Sequence, residues 1–186
     1  MNSDNKVQFL YQSIQDIQNT IRSIDNKIFG VLVILVLPFS LLEEFHEVFA
    51  TIINSNFCIG YIFSGLFVLS WLASLFFSFR AILAIDNPIN HISNANGNGY
   101  FYGAKLFDLK TKIFRFKDVQ SKKDLTNYSS EIKSDWDIVN ELVFEQMKLV
   151  YIRDVKMQIQ KLALFTLAST ITTGLLSWVI YKMIIS

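Results

Sequence analysis

Residues 48–79 run for 32 positions without a single Asp, Glu, Lys or Arg. A helix needs only ~20 apolar residues to cross the ~30 Å hydrocarbon core of a bilayer. The run is longer than one span requires, and its helix is expected over about residues 57–79. Two further charge-free runs accompany it. Residues 162–181 give 20 positions that close on Trp178, Tyr181 and Lys182. Amphipathic rings followed by a cation suit a helix end at the headgroup layer. Residues 28–42 give only 15 positions between Lys27 and Glu43, and Pro38 lies among them. This short run is still read as a span, because so apolar a segment has no use for water. Snorkelling of Lys27 and the apolar segment 45–53 supply the missing length.

Composition agrees with membrane helices. Apolar residues make up 52% of the chain, 17 of them Phe, and charged residues only 18% against a soluble norm of ~25%. With 2 Pro and 7 Gly in 186 residues, a sandwich or barrel of many tight turns is disfavoured. A single cysteine, Cys58, excludes an intramolecular disulfide and a cysteine-based metal cluster.

Basic residues set the expected orientation, since they collect on the cytoplasmic side. Segment 43–56 carries Glu43, Glu44 and Glu47 but no Lys or Arg, whereas Lys6, Arg22 and Lys27 precede the first span. Arg80 and twelve further basic residues lie between the second and third spans. The expected order is a cytoplasmic N-terminal helix (1–27), a transmembrane hairpin (28–79, spans about 28–45 and 57–79 with an outer loop between), a cytoplasmic helical domain (80–161) and a third span (162–186). The N-terminus is then cytoplasmic and the C-terminus lies across the membrane. The first 27 residues are too polar and too long for a signal-peptide head, so the first span is read as retained.

The sharpest periodicity precedes the first span. Val7, Leu10, Ile14, Ile17, Ile21, Ile24 and Ile28 are spaced 3, 4, 3, 4, 3, 4, an a/d heptad stripe. Its partner is either the long C-terminal helix or the same segment of a neighbouring subunit; a helix lying on the membrane surface is the alternative. From about Ser129 a second long helix is expected to run into the third span, roughly 85 Å in all at about 1.5 Å per residue. Ile138, Leu142, Leu149, Ile152 and Ile159 mark one apolar face of it, and Ile132, Trp136, Val139, Val143, Met147 and Val150 another. A helix apolar on two sides is covered on two sides, which implies a homo-oligomer. Between these, Leu106, Leu109, Ile113 and Phe116 suggest a short helix, and residues 89–99 read as an Asn-rich loop.

The fold class expected is therefore all-α, and no enzyme is read from the chain. His46 and His91 fall on opposite sides of the membrane, and neither a glycine-rich phosphate loop nor a nucleophile motif occurs. Asp135, Asp137, Glu141 and Glu145 are read as helix capping and dipole compensation. No cofactor or metal is implied. Two features remain as candidate sites. The first is the basic run Lys105, Lys110, Lys112, Arg115, Lys117, Lys122 and Lys123, interleaved with Phe107, Phe114 and Phe116. Cations beside stacking rings suit a nucleotide or single-stranded nucleic acid; a juxtamembrane patch drawn to anionic lipid is the other reading. The second is the stripe Thr166, Ser169, Thr170, Thr173 and Ser177 of the third span, matched by Ser70, Ser74 and Ser78 in the second. Small and hydroxyl residues let helices pack closely in lipid, and they also suit the wall of a water-filled pore.

Four segments carry a resemblance: SIDNK (23–27), FRAILAIDNP (79–88), YFYG (100–103) and ELVFEQMKLVYIRDVKMQIQKLA (141–163). Their order around three spans resembles the small membrane effectors of bacterial antiphage defence, in particular the Pycsar transmembrane effectors, and is similar in layout to SLATT-type and Hailong-type effectors. The resemblance implies an inner-membrane protein that depolarises or permeabilises the membrane of an infected cell. Its control would be a cyclic mononucleotide or oligonucleotide made by a partner cyclase or nucleotidyltransferase. A β-roll cyclic-nucleotide domain is not encoded here, so a ligand would bind the helical cytoplasmic part, at residues 105–123.

Overall fold

A computed structural model of the chain describes residues 3–55, 57–83, 88–91 and 135–186. Among them the architecture is all-helical. Helix α1 spans Ser3–Ser40, α2 Leu42–Ser55, α3 Phe57–Ile82 and α4 Asp135–Ile185, with a 3₁₀ turn at Pro88–His91. Three of these helices, over Asp4–Ser40, Cys58–Ile82 and Ile138–Ile185, are long and apolar enough to cross a membrane. The transmembrane helical character expected from the charge-free runs is present. The short helix around residues 106–116, most of the Asn-rich loop and the start of the last helix before Asp135 lie outside the described residues.

The hairpin departs from expectation. Segment 43–56 is not an open loop, because α2 fills it. Pro38 explains where α1 stops: it has no N–H for the Ile34 carbonyl and cannot continue the ladder. The last turn tightens, with Leu41 N–H donating to Pro38 O at 3.3 Å and Ser40 Oγ donating to Leu37 O at 2.8 Å. After Leu41 the chain is helical again, and Phe45 N–H donates to Leu41 O at 3.0 Å. Glu43 and Glu44 sit in the first turn of α2, where carboxylates favour the helix dipole. Phe45, Phe49 and Ile52 share one face, and this stripe makes the segment a helix. Phe45 and Phe49 lie with ring centroids 4.9 and 5.5 Å from Phe67 of α3, and Ile52 is fully buried. Gly60 permits the close approach of α2 to α3: a Cβ there would lie 2.6 Å from the Ile53 Cα.

The chain divides into two compact units, Met1–Asn19 with Asp86–Arg153, and Thr20–Ile85 with Asp154–Ser186. Helices α1 and α4 each contribute to both. In the first unit, Leu10 and Ile14 of α1 pack on Leu142 of α4, with Val7, Ile138, Val139 and Leu149 around them. Gln146 Nε2 donates to Ser13 Oγ at 2.7 Å across the same contact. The stripe of α1 therefore meets the long helix of its own chain. His91 of the 3₁₀ turn stacks on Tyr151 at 4.7 Å.

In the second unit α1, α3 and α4 pack through two apolar clusters. Ile24 and Ile28 join Ala81 and Ala163 in one, flanked by Phe77, Ile82 and Ile159. Val31, Leu35 and Leu167 form the other with Leu32, Trp71 and Leu75. Trp71 Nε1 donates to the Leu35 carbonyl at 2.9 Å, and its ring meets Phe39 edge-on at 4.9 Å. The indole thus docks α3 onto the turn of α1 that Pro38 disturbs.

Candidate functional site: the hydroxyl seam of the spans

Spacing by four places Ser70, Ser74 and Ser78 on one face of α3, and the structure turns that face to α4. Thr170 Oγ1 donates to Ser70 Oγ at 3.0 Å, and Ser74 Oγ donates to the Ala163 carbonyl at 3.1 Å. Ser74, Ser78, Thr170 and Ser177 are buried; Thr166, Ser169 and Thr173 are half-buried. Hydroxyls in α4 also serve their own backbone. Thr166 donates to Leu162 O at 2.9 Å, Thr173 to Ser169 O at 2.9 Å and Ser177 to Thr173 O at 2.8 Å. Gly174 completes the seam, since a Cβ there would stand 3.2 Å from the Phe67 ring. The two stripes read from the sequence, the α3 serines and the α4 hydroxyls, thus meet within the chain at Thr170 and Ser70. Among the described residues Ser78 Oγ is buried with no hydrogen-bond partner, the one hydroxyl of the seam left in this state.

The basic run 105–123 lies outside the described residues. Segments 23–27 and 141–163 fall within them, as do residues 79–83 of a third, and these parts converge. Ile24 (SIDNK), Ala81 (FRAILAIDNP) and Ala163 (the end of the 141–163 segment) share one cluster. Asp25 of segment 23–27 forms an ion pair with Lys156 of segment 141–163. These residues join α1, α3 and α4 where charged sequence gives way to charge-free sequence. The chemistry they offer is packing and one salt bridge.

Of the four carboxylates read as capping the last helix, Glu145 does something else. Glu145 is ten residues past Asp135, beyond the first turn where the helix dipole acts, and it is 1% exposed. It pairs with Lys148, whose ammonium also lies 4.7 Å from the Phe144 ring centroid. Burial pushes the Glu145 carboxyl above its usual range; the Lys148 hydrogen bond and charge oppose this, and the Glu141 charge adds to it. The spacing of Glu145 and Lys148 by three was visible in the sequence, but nothing in it marked that face as buried. Among the described residues no group of three or more His, Cys, Asp or Glu is placed to hold a metal ion. Comparison with protein families, curated proteins and solved structures finds no match for this chain.

Proposed function

We propose that the chain is a membrane effector of bacterial antiphage defence, which oligomerises and permeabilises or depolarises the inner membrane under control of a nucleotide or oligonucleotide signal. In this reading the N-terminus and the residue 80–161 region are cytoplasmic and the C-terminus lies on the far side. The signal comes from a partner cyclase or nucleotidyltransferase, and the basic run 105–123 receives it. The observation that carries the reading is the continuity of α1 and α4. Each is one helix that is charged and water-compatible at one end and apolar enough to span lipid at the other. Oligomerisation draws support from Phe9, Val143 and Met147, apolar side chains outside the charge-free runs that one protomer leaves exposed.

The test is flux. Purified protein in vesicles of phosphatidylethanolamine and phosphatidylglycerol is expected to pass ions when cyclic mononucleotides or short oligonucleotides are added. Absence of flux under every such condition refutes the reading. One observation favours a second reading, a non-conducting scaffold that docks a soluble partner through its cytoplasmic helices. Within the hydroxyl stripe of α4, the natural lining for a pore, Thr170 is bonded to Ser70 of its own chain and Ser177 is buried. Under the scaffold reading Thr170→Leu changes stability alone, whereas under the effector reading it also changes flux.

A further inference from the structure

Helix α2 is held on its two sides by unequal means. Against α3 it packs closely: a Cβ on Gly60 would lie 2.6 Å from the Ile53 Cα, Ile52 is fully buried, and Phe45 stacks on Phe67. Against α4 it leaves a cavity of about 180 Å³, lined by Glu44, Phe45 and Val48 of α2 and by Gly174, Ser177 and Trp178 of α4. A larger apolar cavity of about 310 Å³ shares Phe45, Gly174 and Trp178 with it. Among the described residues one hydrogen bond joins α2 to α4: the Tyr181 hydroxyl donates to Glu47 Oε1 at 2.8 Å.

The place of Glu47 gives this bond its weight. Ile53 meets Gly60 and Phe45 meets Phe67, so α2 lies antiparallel along residues 60–67 of α3. That stretch belongs to a helix apolar enough to span a membrane, and it holds no charged residue. Glu47 falls between the two contacts and therefore stands level with apolar residues of a span. A carboxylate at such depth requires a donor or water. Tyr181 supplies the donor. It closes the charge-free run 162–181, and Lys182 follows, so water is within reach once the bond is broken. The backbone permits movement at the other end of α2. Between Pro38 and Leu42 the helical ladder gives way to a turn, closed by Leu41 N–H on Pro38 O at 3.3 Å.

We propose that the Tyr181–Glu47 hydrogen bond is a latch. Intact, it keeps α2, and the start of α3 packed on it, closed over the Gly174 to Ser177 part of α4. Broken, it strands a carboxylate at apolar depth, which draws α2 toward water and opens the two cavities. Under the effector reading this contact is autoinhibitory, a consequence that rests on that reading; the latch itself does not.

The test measures the gap. Cys58, the single cysteine of the chain, is exposed at the start of α3, and Met183 of α4 is 76% exposed. Spin labels on Cys58 and on Met183→Cys report the distance between the two sides in the full-length protein in lipid nanodiscs. Tyr181→Phe, which keeps the ring, is expected to raise the ratio of long-distance to short-distance populations about tenfold, the effect of one hydrogen bond to a charged group. Tyr181→Phe combined with Glu47→Leu removes the stranded carboxylate and should restore the short distance. A Tyr181→Phe distribution equal to that of the unsubstituted chain overturns the proposal. So does a double variant as open as Tyr181→Phe, because the carboxylate then does not drive the movement. Vesicle flux separates the two readings. Tyr181→Phe passing ions without nucleotide ties the latch to permeation. Distances that shift in protein that never conducts uphold the latch and refute the effector reading.

Discussion

The two stretches of α4 pack by different rules. In residues 135–153 the contact with α1 centres on a large aliphatic side chain, Leu142, fully buried against Leu10 and Ile14, with Gln146 donating to Ser13 beside it. In residues 162–185 the buried positions are Ala163, Leu167, Thr170 and Ser177, with Gly174 touching Phe67. The same helix changes its means because the solvent changes. Next to water, removing a Leu from solvent is worth about 1.5–3 kcal/mol, so large residues hold helices together. In lipid the alternative to a protein contact is an equally apolar acyl chain, and association comes from close backbone approach and hydrogen bonds. Charge marks the change. Residues 135–153 hold six charged side chains, and residues 162–181 hold none.

The largest expected effect tests the water-facing rule. Leu142→Ala deletes the centre of the α1–α4 contact and is expected to cost about 2–5 kcal/mol, read as faster amide exchange in the first two turns on either side of Ile14. An effect confined to α4 itself would show that α1 does not depend on this contact. Next is the membrane hairpin. Gly60→Ala places a methyl group 2.6 Å from the Ile53 Cα, and because the obstacle is backbone, no rotamer relieves it. A loss of about 1–3 kcal/mol is expected, measured as a fall in the thermal unfolding midpoint in detergent. Gly65→Ala is the control: open space surrounds that position, so the better helix propensity of Ala, worth about 1 kcal/mol, should stabilise.

How much of this was legible in the sequence depends on which signal carried it. The spans were legible because charge-free length is itself the physical requirement for crossing a bilayer, and the α1 stripe because a 3, 4 spacing admits one helical face. The helix over Leu42–Ser55 was half legible: residues 45–53 stand out as apolar, but that Phe45, Phe49 and Ile52 form a face packed on α3 is a tertiary fact. The facing of the α3 and α4 hydroxyl stripes was half legible: each stripe showed in its own helix, but which neighbour it meets is a tertiary fact. The burial of Glu145 was not legible at all, since its sequence neighbourhood is that of any solvated helix.

The hydroxyl seam itself should yield smaller numbers. Thr170→Val keeps shape and removes the contact with Ser70, and a double-mutant cycle with Ser70→Ala should give a coupling of about 0.6 kcal/mol, the average for interhelical hydrogen bonds in lipid. Coupling near zero would leave close packing alone to hold the seam. Ser78→Ala sharpens the contrast, because its buried hydroxyl has no partner to lose. That substitution should leave the unfolding midpoint unchanged or raise it, whereas Ser74→Ala should lower it.

The finest test of the water-facing stretch is its pH dependence. Burial raises the Glu145 carboxyl above its ordinary value of 4.5, so the folded chain binds this proton more tightly than the unfolded one does. The resulting stabilisation is complete below pH 4.5 and is lost as pH rises through the raised folded value. The first unit should therefore lose stability on going from acid toward neutral pH by the share that Glu145 controls. Glu145→Gln, neutral at every pH, should flatten that segment of the profile. Lys148→Met should steepen it, because Lys148 is the group that holds the carboxylate form down. Amide exchange of α4 around Glu145, followed across this range in the three proteins, measures the effect. A profile for Glu145→Gln that matches the unsubstituted chain would assign the pH dependence to another group. If Lys148→Met leaves the slope unchanged, the ion pair contributes nothing to holding the charge.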